Sequence, residues 1–160
     1  MRLVNDILDL SRLEAQMMKF QIQDYDVIEL CRDICYMARI KNEQTGIKVQ
    51  FAAETDSQII RTDTTRLTQA LLSALVYPEE QECQQERIIR FVVSRHRDML
   101  RFRISNSPLA EHNFASQETI IRHDINRLLM KHFGGNYQVN DKTSEGPEIV
   151  FIYPITSESK

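Results

Sequence analysis

Residues 87–107, RIIRFVVSRHRDMLRFRISNS, alternate apolar and polar side chains on both sides of a His-Arg-Asp turn. Side chains on a strand point to opposite faces in turn. Phe91, Leu100, Phe102 and Ile104 therefore share one face, and Arg90, Arg101 and Arg103 the other. The stretch reads as an antiparallel hairpin with one apolar and one wet face. Such a hairpin is not stable alone, so its apolar face must be covered by another layer.

The rest of the chain offers helices for that cover. Residues 1–18 place Leu3, Ile7, Leu10, Leu13 and Met17 at three- and four-residue steps, the pattern of an amphipathic helix that can pair as a coiled coil. It starts without a cap, as a piece of a longer helix would. FQIQDYD at 20–26 reads as a short strand. Asp26 and Glu29 resemble a capping box ahead of the stripe Val27, Leu30, Cys31, Ile34, Cys35 and Ala38, with a stop at Gly46. IKVQFAA and SQIIR are brief strands. Asp63 or Thr62 can cap a helix carrying Leu67, Ala70, Leu71, Ala74 and Leu75, which Tyr77-Pro78 ends. PEEQECQQE reads as a solvated connection. QETIIRHDINRLLMKHFGG is helical, with Ile121, Ile125, Leu128, Leu129 and Phe133 on one side and a glycine pair as its stop. NYQVN and EIVFIYPI close the chain as strands. The expected fold is α+β, a two-layer sandwich of a mixed, mostly antiparallel sheet with three helices on one face, preceded by an N-terminal helix.

Composition narrows the function. At 160 residues and 42% hydrophobic, the chain suits one domain. Its net charge of −3 gives no global field for nucleic acid or membranes, and no stretch of 18 apolar residues or signal-like leader occurs. With only four glycines, no GxGxxG or GxxxxGK[ST] can be written. The three cysteines lack CxxC spacing and fit a reducing cytoplasm, Cys31 and Cys35 as core residues. His96, His112, His123 and His132 have no partner at metal-ligand spacing and read as structural or surface residues. Arg90, Arg101 and Arg103, with Arg87, Arg95 and Arg97 nearby, form a basic strip that reads first as a solvated face and second as a protein-partner surface. Nucleic acid is disfavoured because Phe91 and Phe102 point away from it.

Several segments resemble the catalytic half of a bacterial sensor histidine kinase. VNDILDLSRLEAQMMKF at 4–20 is similar to the end of that family's dimerisation helix. GIKVQFAAETDSQIIRTDTTRLTQALLSAL at 46–75 is similar to its strand pair and its Asp-x-x-Arg-Leu-x-Gln helix. HFGGNYQVN with EGPEIVFIYPI is similar to its closing strands. The resemblance implies the ATP-binding fold shared with gyrase-type ATPases. It divides the chain into 1–19, the end of a dimerisation helix, 20–156, the ATPase-like domain, and 157–160, a polar tail. It also implies self-association through Leu3, Ile7, Leu10, Leu13 and Met17, with a response regulator or another kinase domain as partner. The implied setting is two-component signalling on the cytoplasmic side, as in the cytoplasmic part of a membrane-anchored sensor, with no membrane contact by this segment.

The positions the resemblance assigns to nucleotide depart from the pattern. Ser73 and Tyr77 stand where the family has asparagines that hold Mg²⁺. Asn106, Pro108 and Ala110 stand in its Asp-x-Gly-x-Gly stretch, and Ile120 and Arg122 where a glycine pair follows the mobile lid. A phenol does not replace an amide carbonyl on a hard cation, and proline fixes φ and removes an N–H where glycine is needed. The phosphoacceptor histidine would lie before Met1. The expectation is a degenerate domain, not an enzyme as it stands, with no metal site and no cofactor, acting as a scaffold or interaction module. The alternatives are an active kinase domain using ATP and Mg²⁺ to phosphorylate a histidine outside this chain, and an unrelated α+β binding module using its arginine face.

Overall fold

The structure is a computed structural model and describes residues 2–76, 86–111, 116–141, 143, 144 and 146–155. Tyr77, Pro78, His112, most of the PEEQECQQE connection and the tail 157–160 lie outside the described residues.

The chain runs α1 (Arg2–Glu14), β1 (Gln23–Asp26), α2 (Val27–Lys41), β2 (Ile47–Ala53), β3 (Ile59–Thr62), α3 (Thr64–Leu75), β4 (Arg87–His96), β5 (Met99–Ser105), a 3-10 turn (Pro108–Ala110), α4 (Gln117–His132), β6 (Asn136–Asn140) and β7 (Glu148–Pro154). The main sheet has the order β2-β4-β5-β7-β6. β2 runs parallel to β4 and the other pairs are antiparallel. β1 and β3 form a separate antiparallel pair. Tyr153 on β7 joins the two sheets by donating its hydroxyl to the Arg61 carbonyl at 2.8 Å, and burial pushes its phenol up to about 12.

One face of the main sheet is sealed. Ile89, Phe91, Val93, Leu100, Phe102, Ile104, Ile149, Phe151 and Tyr153 are buried in one core with Ile28, Ile34, Leu67, Leu71, Ile125 and Leu129 from α2, α3 and α4. At about 25 cal/mol per Å² of apolar area removed from water, this burial is the main stabilising term. Cys31 and Cys35 belong to the same core, and burial raises both thiols, Cys35 to about 11.

The helix starts follow the sequence reading. Asp26 Oδ1 accepts from Ile28 N at 3.0 Å, and Asp63 Oδ1 accepts from Arg66 N at 3.0 Å. Asp63 is the cap rather than Thr62, and its second oxygen accepts from Gln21 N at 2.9 Å, tying the segment before β1 to α3. Gly134 takes φ +85 at the end of α4. The next residue, Gly135, lies so close to β7 that a Cβ would stand 1.8 Å from the Ile152 carbonyl oxygen.

One expectation needs correction. The strand expected over 20–26 begins only at Gln23, because Phe20 turns inward to stack on His132, with ring centroids 4.0 Å apart. The expected dimerisation stripe is divided between two environments. Leu13 belongs to the core, with Leu3 and Leu10 packed against it, while Ile7 and Met17 are 43% and 72% exposed. The reason is charge as well as packing. α1 lies on α4, where its buried Asp6 meets Arg122 at 2.6 Å, and its Asp9 reaches Arg66 of α3 at 3.4 Å. The helix is therefore docked on α4 and α3.

Candidate functional site

Of the positions that the sequence singles out, Ser73 and the 106–110 segment meet where α3 and the segment after β5 pack beside α4. Asn106 ends β5 in a left-handed conformation, φ +63, which asparagine tolerates better than most residues. Its amide N–H donates to the Pro147 carbonyl at 2.7 Å, and its Nδ2 to the Ile88 carbonyl at 3.2 Å. Ser107 is fully buried and donates its hydroxyl to the Ala74 carbonyl on α3 at 2.6 Å. Pro108, Leu109 and Ala110 then form the 3-10 turn, closed by Ala110 N donating to the Ser107 carbonyl at 3.1 Å. Pro108 and Ala110 are buried, Ala110 within the main core, and the turn packs against α3. Proline suits this place because its fixed φ starts the turn and the missing N–H is not needed there.

A polar network lies beside the turn. Ser73 on α3 donates its hydroxyl to the Ala70 carbonyl at 2.6 Å and accepts from Asn126 Nδ2 at 3.2 Å. Asn126 is fully buried on α4, its Nδ2 also lies 3.5 Å from the Tyr137 hydroxyl, and its Oδ1 has no hydrogen-bond partner among the described residues. The Tyr137 hydroxyl is 2.7 Å from His123 Nδ1. Burial lowers the His123 pKa from 6.5, aided by Arg127, while the Leu109 backbone and Asp124 pull the other way. Burial also raises the Tyr137 phenol well above its usual value, against the opposing pull of Asn126. His123 is thus half-buried and hydrogen-bonded within the fold.

The remaining candidates diverge. Ile120 points to solvent at 56% exposure, whereas Arg122 turns to Asp6 of α1. Tyr77 lies outside the described residues. The structure brings together Ser73 and the 106–110 segment, and adds Asn126, Tyr137 and His123, which sequence reasoning did not assign to the site. The available signal was Asn126, a polar residue one position past Ile125 on the core-facing side of α4.

Arg90, Arg101 and Arg103 lie on the exposed side of the sheet, with Phe91 and Phe102 buried on the other. Arg87 does not belong to this strip. Its place in the register turns it inward, where it forms an ion pair with Glu111 beside the 3-10 turn. Among the described residues, no group of three or more His, Cys, Asp or Glu is placed to hold a metal ion, and no helix is long and apolar enough to cross a membrane.

No family model and no curated protein matches the chain. Solved structures do. Acinetobacter baumannii histidine kinase AdeS is 13% identical with a TM-score of 0.72, covering 98% of this chain and 78% of its own. Full-length ShkA in complex with AMPPNP is 22% identical with a TM-score of 0.76, covering 99% of this chain and 36% of its own. Histidine kinase ThkA in complex with the response regulator TrrA is 15% identical with a TM-score of 0.67, covering 99% of this chain and 50% of its own. The fold is that of histidine-kinase catalytic domains.

Proposed function

We propose that this chain is the catalytic-domain-like part of a two-component sensor that has lost ATP binding and acts as a scaffold or interaction module. The observation that carries the reading is the inward-folded 106–110 segment. Where the resemblance expects a carboxylate and glycines that admit a nucleotide, Ser107 is bonded to α3 and Pro108 and Ala110 are buried. Ser73, in an asparagine's place, has its hydroxyl engaged by Ala70 and Asn126. Mg²⁺ needs several oxygen ligands in near-ideal octahedral geometry, and a nucleotide needs open backbone N–H groups. The described residues at these positions do not fit either group, so no phosphoryl-transfer step is assigned to them.

A response regulator is the partner class this reading favours, supported by the fold shared with the ThkA of the TrrA complex. Self-association would use α1, on which Val4, Ile7 and Leu8 are exposed, with Met17 exposed just past its end. The cytoplasmic setting follows from the same reading. A second reading, an active kinase domain, has one observation in its favour, the likeness to a kinase solved with AMPPNP. Titration calorimetry with Mg-ATP separates the two. The expected result is no saturable heat up to millimolar nucleotide, whereas a micromolar Kd, about −8 kcal/mol, would overturn the first reading.

A further inference from the structure

We infer that the solvent-facing side of the main sheet docks an acidic segment of a partner protein that also carries aliphatic side chains. The register sets out this face row by row. Lys48 lies beside Ile88, and Gln50 beside Arg90, Ser105 and Glu148. Ala52 lies beside Val92, Arg103 and Val150, and Ser94 beside Arg101 and Ile152. These rows carry four cations, Lys48, Arg90, Arg101 and Arg103, and one carboxylate, Glu148, which Arg103 and Asn140 already hold at 2.9 and 2.8 Å. Cations outnumber the carboxylate in these rows, in a chain whose net charge is −3, while Glu54 and Glu86 lie just beyond the ends of β2 and β4. Charge of one sign is thus gathered on a single surface, which attracts carboxylates over the distance that salt allows.

The aliphatic residues argue against a face that merely meets water. Ile88 and Val92 are 44% and 36% exposed, and Ala52 is exposed next to Val92. A wet sheet face is ordinarily lined by polar side chains. Branched aliphatics between arginines suit a partner that offers both kinds of contact, and guanidinium groups bind carboxylates bidentately. A second copy of the chain is a poor occupant, since its matching face is also positive and like charges would meet. Single-stranded nucleic acid is a poor one as well. The aromatic rings of the hairpin, Phe91 and Phe102, are on the buried side and cannot stack with bases.

Fluorescence anisotropy tests the inference with three labelled probes. These are a short peptide alternating Glu and Asp with Leu and Val, its counterpart with Lys and Arg for the acids, and a single-stranded DNA oligonucleotide of similar length. The expected result is saturable binding of the acidic peptide, at least about tenfold tighter than either other probe and weaker at high salt. Arg101→Glu and Ala52→Glu should each weaken it by about tenfold and Val92→Ser by a smaller factor, with melting temperatures unchanged at these exposed positions. The inference is overturned if the acidic peptide binds no tighter than the basic one, if DNA binds as tightly, or if none of the three substitutions alters binding.

Discussion

The His123 ring is packed between α4 and the Tyr137 hydroxyl, where a proton on both nitrogens is disfavoured. The unfolded ring takes its proton near pH 6.5, while the folded ring does so only at lower pH. The folded state therefore keeps this contribution above pH 6.5 and loses it as pH falls toward the depressed value. Melting temperature measured between about pH 7 and pH 5 should fall with acid, and His123→Gln should flatten that slope. Equal slopes in the two proteins would refute this origin. Asp26 acts in a lower range: burial raises its carboxyl, but hydrogen bonds from Gln58, Ser57, Ile28 and Glu29 together hold it below 3.8. At Gly135 the argument is steric. A Cβ would collide with the Ile152 carbonyl, so Gly135→Ala should cost more than about 2 kcal/mol in a denaturant melt. The caps at Asp26 and Asp63 were legible in the sequence because a cap is decided by its own few residues. Asn126 was not, because its partners Ser73 and Tyr137 come from distant parts of the chain.

For single elements, the alternating strands and the apolar stripes of α2, α3 and α4 lie where their periodicity put them. α1 shows the limit of that logic. Its spacing marks an apolar helix, but spacing cannot distinguish a partner helix from the chain's own core, and Leu3, Leu10 and Leu13 face the core. The deciding contact is Asp6 with Arg122, a pair 116 residues apart. Removing one member leaves the other desolvated without its partner. Asp6→Ala should therefore cost on the order of 1–3 kcal/mol. Hydrogen exchange of the α1 amides reports this, with protection expected to fall across Arg2–Glu14 and to hold across α3 and α4. Unchanged protection in α1 would mean that its packing, not the ion pair, holds it.

In the molecule as a whole, fold and site separate. The layers are determined by hydrophobic pattern, which tolerates extensive change of sequence, so histidine-kinase catalytic domains sharing 13–22% identity have the same architecture. A nucleotide site instead depends on particular carboxylates, amides and glycines, and its departures at Ser73, Asn106 and Pro108 could be read directly. The sequence did not foretell how these positions are used. The 3-10 turn and the Ser73–Asn126–Tyr137–His123 network pack them together, and that requires three elements to meet. The most direct test is the melting temperature of the chain with and without millimolar Mg-ATP. Ligand at about 100 times its Kd stabilises by about 2.7 kcal/mol, or roughly 5–10 °C for a domain of this size. The account expects no rise beyond about 1 °C at that concentration. A rise of several degrees that requires Mg²⁺ would contradict it, since the turn would then have to open to admit the nucleotide.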